Sequence, residues 1–153
     1  MKTIYRYGIV ALACFGSLLA AYLIIGARFS VLYEAARTHA LSLPLPALLL
    51  ALLFVYGTAI LAAGRLWSTV GSWHTWVGGF FISLYFLSGS FIFLLGYHMS
   101  FIALFLSLCL LVPIIPLFMG AWEIDRLAAY LFIPYTLWIF YAIYFVVAVW
   151  MLW

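Results

Sequence analysis

Charge is what this sequence has least of. Its 153 residues carry three acidic and six basic side chains, 6% of the chain, where a water-soluble domain carries roughly a quarter. That is too little polar surface to cover a folded chain in water, so lipid must supply the solvent. Cysteine is also scarce. Cys14 and Cys109 both fall inside apolar runs, where a free thiol packs as a small hydrophobe, and their separation matches no metal-ligand spacing. The sequence has no basic stripe, no phosphate loop and no paired carboxylates at membrane depth. A nucleic-acid partner is thereby excluded, and no catalytic constellation can be recognised.

Ionisable groups at membrane depth are missing as well. A proton- or ion-coupled transporter keeps a carboxylate or histidine inside the bilayer, whereas Glu34, Glu123 and Asp125 all fall at expected helix ends. The three histidines, His39, His74 and His98, fall in expected loops, with His39 and His98 on the face opposite His74. Haem ligation by two histidines needs facing helical positions at similar depth, so no histidine is expected to ligate haem or metal.

Apolar residues make up 71% of the chain and aromatic residues 21%. Crossing the hydrocarbon core takes about 20 apolar residues, and the sequence offers five runs of that order, at about 7–27, 45–66, 75–97, 100–120 and 126–151. The expected fold class is an all-α integral membrane protein, a five-transmembrane-helix bundle forming a single membrane domain over 1–153, with a long first loop at 28–44. Lys2 and Arg6 ahead of an apolar stretch resemble a signal peptide, but the run from Gly8 to Gly26 is long enough to span and reads as a first helix. In the first loop, Pro44 and Pro46 favour an extended approach followed by a helix start. Gly96 to Ser100 requires a tight hairpin, and Glu123 and Asp125 suit the N-terminus of the fifth span. Pro113 and Pro116 should bend the fourth span near its middle. Gly78, Gly79 and Ser83 permit a close helix contact, within the bundle or across a dimer.

Lysine and arginine placement sets the expected orientation. With the N-terminus in the cytoplasm, Lys2, Arg6, Arg65 and Arg126 lie inside and Arg28 and Arg37 outside, and the chain ends at the outer interface with Trp150 and Trp153. In the fifth span, Tyr135, Trp138 and Ala142 recur at spacings of three and four, which puts two large flat side chains and a small one on one face. That stripe reads either as interhelical packing or as the wall of a ligand site.

The run from Arg126 to Trp138, followed by Phe140, Tyr141 and Ala142, resembles the last helix of the tryptophan-rich sensory protein/translocator protein (TspO) family, with its Pro-Tyr, its Trp and its aromatic-Ala pair. The family's first-loop pattern of Trp-Tyr, Lys-Pro and Trp-x-Pro-Pro, followed by a helix with Leu-Tyr, places Tyr33, Pro44 and Tyr56 on corresponding positions. It also places Thr38-His39 on Lys-Pro, Leu41 on the loop tryptophan and Leu52 on the helix-two tryptophan. In the third span Ser90 and Phe93 match, while Phe86 and Gly89 replace an Asn and a Trp; Phe145-Val146 replaces a late Leu-Asn. The resemblance implies a homodimeric five-helix bundle that binds porphyrins or sterols under the first loop, with Tyr33, Pro44, Tyr56, Phe93, Tyr135, Trp138 and Ala142 lining the ligand site. A porphyrin or haem-type ligand is thus implied, with no firm cofactor and no metal. Porphyrin breakdown in the family depends on aromatic positions that are Leu41 and Leu52 here, so binding is expected rather than catalysis.

Besides a pigment- or lipid-modifying enzyme, whose turnover no residue here predicts, two functions remain open on the sequence. One is a receptor, carrier or sensor that binds a flat hydrophobic small molecule, a tetrapyrrole or a sterol-like lipid, within the bilayer. The other is a structural or accessory subunit whose aromatic faces contact a larger membrane complex.

Overall fold

A computed structural model describes residues 2–26, 29–40, 43–70, 75–97 and 99–152. The chain forms α1 (Lys2–Ile25), α2 (Phe29–Ala40), α3 (Leu45–Val70), α4 (Thr75–Phe91), α5 (Ser100–Cys109), α6 (Leu111–Ile124) and α7 (Arg126–Leu152), with a π-helical turn over Ile92–Gly96 that continues α4. Among the described residues, five segments are long and apolar enough to cross a membrane: Thr3–Ile25, Leu45–Val70, Gly78–Leu95, Phe101–Ile124 and Arg126–Met151. The protein is an all-α, multi-pass integral membrane protein built as a five-helix bundle.

The distribution of side chains fits lipid as the solvent. Large apolar residues such as Leu12, Leu50, Leu53 and Val112 face outward, while Ala59, Ala62, Ala63, Ala103, Ala128, Ala129 and Ala142 are buried. Lipid tails are as apolar as leucine, so helices associate through close packing of small residues rather than by hiding hydrophobes. Without water, hydroxyls need partners inside the protein. Ser17, Thr58, Ser83, Ser88, Ser90, Ser107 and Thr136 each donate to a backbone carbonyl three or four residues earlier in their own helix. The spans close into a ring in which α1 packs on α3 and α4, α3 on α7, α7 on the α5–α6 pair, and that pair on α4. Gly79 contributes to the last seam, where a Cβ at that position would lie 3.9 Å from the Pro113 carbonyl oxygen of α6.

Two expectations need correction and one is met. The first loop is largely helical: α2 runs over Phe29–Ala40, so Glu34 lies within a helix rather than at its end, and the backbone of His39 is helical. Glu34 accepts a hydrogen bond from Arg37 at 2.7 Å, the i, i+3 spacing that lets opposite charges meet on one helix face. The fourth span breaks at Leu110, near its middle, where the two prolines are expected to bend or loosen it. Pro113 has no N–H to offer the Cys109 carbonyl and its ring would collide with it, so α5 stops at Cys109 and the Leu110 N–H turns to Ser107 O at 3.2 Å. Pro116 then sits inside α6. The second span continues to Val70, which draws Ser68 into the helix. Arg28, Leu41, Gly71, Ser72, Trp73, His74, His98 and Trp153 lie outside the described residues.

One end of the bundle gathers charge. Arg6 donates to the Trp67 carbonyl at 3.0 Å and lies 5.9 Å from the centre of the Trp67 ring, and Arg65 pairs with Asp125 at 2.5 Å. Asp125 also caps α7: its backbone is extended, and its Oδ1 accepts the Leu127 N–H at 3.0 Å. Loss of such a cap costs about 1 kcal/mol, and a half-exposed ion pair contributes about 0–1 kcal/mol. Asp125→Ala should therefore lower the thermal midpoint in detergent clearly more than Asp125→Asn, which keeps a capping oxygen. Equal losses would mean that the ion pair, not the cap, dominates.

Candidate functional site

A cavity of about 430 Å³ lies within the bundle. From α1 it takes Phe15, Leu18, Ala21, Tyr22 and Ile25; from the first turns of α3, Leu48, Leu49, Leu52, Leu53 and Tyr56. The end of α4 adds Leu87, Ser88 and Phe91, and α7 closes the inner side with Trp138. The end of α1, the start of α3 and the end of α4 meet at the end of the bundle opposite the charged one, so the cavity occupies the half nearest α2.

Its wall is almost wholly apolar. The Ser88 hydroxyl is occupied by the Leu84 carbonyl at 3.0 Å, and Tyr56 is 3% exposed with its hydroxyl close to Ser17 of α1. Among the described residues no charged side chain lines the cavity.

The structure brings two of the expected site residues, Tyr56 and Trp138, together on this wall. The others lie outside the lining. Tyr135 is fully buried beside Phe80 and Phe132, and its hydroxyl meets Ser83 Oγ of α4 at 2.9 Å. Ala142 is fully buried on α7. Phe93 sits in the π turn against Tyr97, with ring centroids 5.8 Å apart. Pro44 is exposed and opens α3, its carbonyl accepting the Leu48 N–H at 2.9 Å.

Tyr33 is buried on α2 and ties that helix to the bundle. Its hydroxyl donates to the Leu43 carbonyl at 3.0 Å and lies 3.4 Å from the Tyr141 hydroxyl, which in turn accepts the Leu43 N–H at 3.3 Å. The Tyr33 ring stacks on Phe145, and Phe145 on Phe91. Trp138 packs on Tyr141 at 5.2 Å. Thus the cavity residues Phe91 and Trp138 are each connected to the α2 tether through one aromatic neighbour.

Sequence reasoning missed the contribution of α1. Phe15, Leu18, Tyr22 and Ile25 follow spacings of three, four and three, a single seam on a helix. In an all-apolar span that seam stands out only through its aromatics, because the outward residues are equally hydrophobic. Leu52, noted as a replacement for a family tryptophan, also lines the cavity, and its shorter side chain leaves room there.

No curated protein and no solved structure gives a significant match. The chain does match the family model of the TspO/MBR family over residues 9–151, from within the first span to the end of the fifth. This five-span membrane protein belongs to the TspO/MBR family.

Proposed function

We propose that this protein is a receptor or carrier that binds a flat, uncharged hydrophobic molecule of the sterol-like class in the cavity between α1, α3, α4 and α7. The observation that carries this reading is the cavity itself. Its volume of about 430 Å³ falls in the range of about 300–1,000 Å³ usual for small-molecule sites, and its wall combines aliphatic side chains with Tyr56 and Trp138. A porphyrin presents carboxylates, and burying a charge in apolar surroundings is costly unless it is paired and hydrogen-bonded. With no cation among the described lining residues, the sterol-like alternative is favoured over the tetrapyrrole.

A ligand arriving from water would gain about 25 cal/mol per Å² of buried apolar surface. One already dissolved in the bilayer gains nothing from that term, so selectivity must come from shape and from the few polar groups. We also assign the charged end, with Arg6, Arg65 and Arg126, to the cytoplasmic side by the positive-inside bias. The cavity then lies toward the opposite face.

Titration of the purified protein with a fluorescent sterol analogue and, separately, with protoporphyrin tests the reading. The sterol analogue should quench tryptophan emission saturably, and Trp138→Ala should weaken its affinity about tenfold, or about 1.4 kcal/mol. Protoporphyrin should bind less well. Absence of saturable quenching by both ligands would remove the proposal. Co-purification of a stoichiometric partner in mild detergent would then point to the accessory-subunit reading.

A further inference from the structure

We infer that the cavity is loaded sideways from a single leaflet, the one on the α2 side, through the gap between α1 and α3, and that its occupant is a neutral lipid of that leaflet. This rests on the ligand-binding reading and adds the route and the source. Phe15 and Tyr22 on α1, and Leu49 and Leu53 on α3, line the cavity, yet they are 53%, 56%, 49% and 65% exposed. Side chains that face both the cavity and the outside mark its opening. All four belong to membrane-spanning segments, so what lies outside that opening is lipid.

Two other routes are closed among the described residues. Toward the charged end the same two helices are in contact: Arg6 donates to Trp67 O at 3.0 Å, and a Cβ at Gly64 would collide with the Tyr7 ring. At the α2 end, Tyr33 is 1% exposed, bonded to the Leu43 carbonyl and stacked on Phe145. Tyr141 holds the Leu43 amide. Depth points to one leaflet. The lining residues of α1 run from Phe15 to Ile25, which at 1.5 Å per residue is about 15 Å, half of a hydrocarbon core about 30 Å thick. A cavity of that depth, open at its side, accepts a molecule already aligned in one leaflet without passing it through water.

Trp138 lies at the inner wall and reports access. The protein is reconstituted in phosphatidylcholine vesicles with mid-chain brominated acyl tails. Emission is compared between the natural chain and Trp138→Phe, so that the difference isolates Trp138. Acrylamide serves as the water-soluble quencher. Bromolipid should quench the Trp138 component and acrylamide should not. Ala21→Phe, which adds a ring to the cavity wall on α1, should reduce bromolipid quenching several-fold while the circular dichroism and thermal midpoint stay near those of the natural chain. Leu49→Phe places the obstruction on α3 and provides a second variant should Ala21→Phe misfold. Quenching by acrylamide instead of bromolipid, by neither, or by bromolipid equally in natural and obstructed chains would each overturn lateral loading. None of these outcomes bears on the detergent titration with the sterol analogue, so failure of the route and failure of ligand binding are separable.

Discussion

Tyr135→Ala should destabilise the bundle more than any other single change at the α4–α7 seam. The side chain is fully buried, with Phe80 at 5.3 Å and Phe132 at 6.4 Å between ring centroids. Truncating a buried aromatic in a water-soluble core costs about 3–5 kcal/mol. In lipid the transfer contribution is lost and the packing contribution remains, so the lower end, about 3 kcal/mol, applies. The polar part of the interaction is unequal between its two partners. Ser83 Oγ donates to the Phe80 carbonyl at 2.7 Å as well as meeting the Tyr135 hydroxyl, whereas Ser83 is the hydrogen-bond partner of Tyr135 among the described residues. Tyr135→Phe leaves Ser83 satisfied and should cost about 0.6 kcal/mol, the average for hydrogen bonds between membrane helices. Ser83→Ala strands a buried hydroxyl and should cost about 1–3 kcal/mol. Thermal midpoints in detergent should therefore fall in the order Tyr135→Phe, Ser83→Ala, Tyr135→Ala, the last being lowest. A Tyr135→Phe variant as unstable as Tyr135→Ala would show that the hydrogen bond, not the ring, carries the seam.

The second large effect is expected at Gly64. A Cβ there would collide with Tyr7 Cδ1 and lie 2.5 and 2.8 Å from its Cε1 and Cγ. These atoms include the base of a ring rather than the tip of a flexible chain, so Gly64→Ala must turn the ring or force α1 away from α3. Overpacking of this kind costs about 1–3 kcal/mol. Tyr7→Ala removes the obstruction, and the double variant should be more stable than the sum of the two single losses allows, a coupling that thermal midpoints of all four proteins would reveal. Strict additivity would mean that Tyr7 swings aside freely and that Gly64 does not set the α1–α3 spacing. Since the same two helices border the cavity further along, Gly64→Ala should also alter sterol-analogue affinity.

The five spans were legible because an apolar run of some 20 residues has few other uses, and a sequence with 6% charge has few other solvents. Helix starts were legible where local chemistry dictates them. Asp125 caps α7 through Leu127 N–H, and Pro44 precedes α3, as their side chains favour. The helix within the first loop was not legible: Phe29–Ala40 carries Glu34 and Arg37 amid small and apolar residues, and its burial depends on Tyr33 finding Phe145 more than a hundred positions away.

The candidate site divides along the same line. Tyr56 and Trp138 could be proposed from a motif and a helical spacing, because a helix carries its own periodicity. Which face of each span looks inward could not, since in lipid both faces are apolar and amphipathic contrast disappears. Thus composition and run length alone determined that the chain spans the membrane five times as helices. Only the tertiary structure decided that Tyr135 packs with Ser83 away from the cavity and that Phe15, Tyr22 and Leu53 border an opening toward lipid. Those choices depend on how closely two backbones approach, at Gly64 against Tyr7 and at Gly79 against Pro113, and spacing between helices is a property of pairs that no single span encodes.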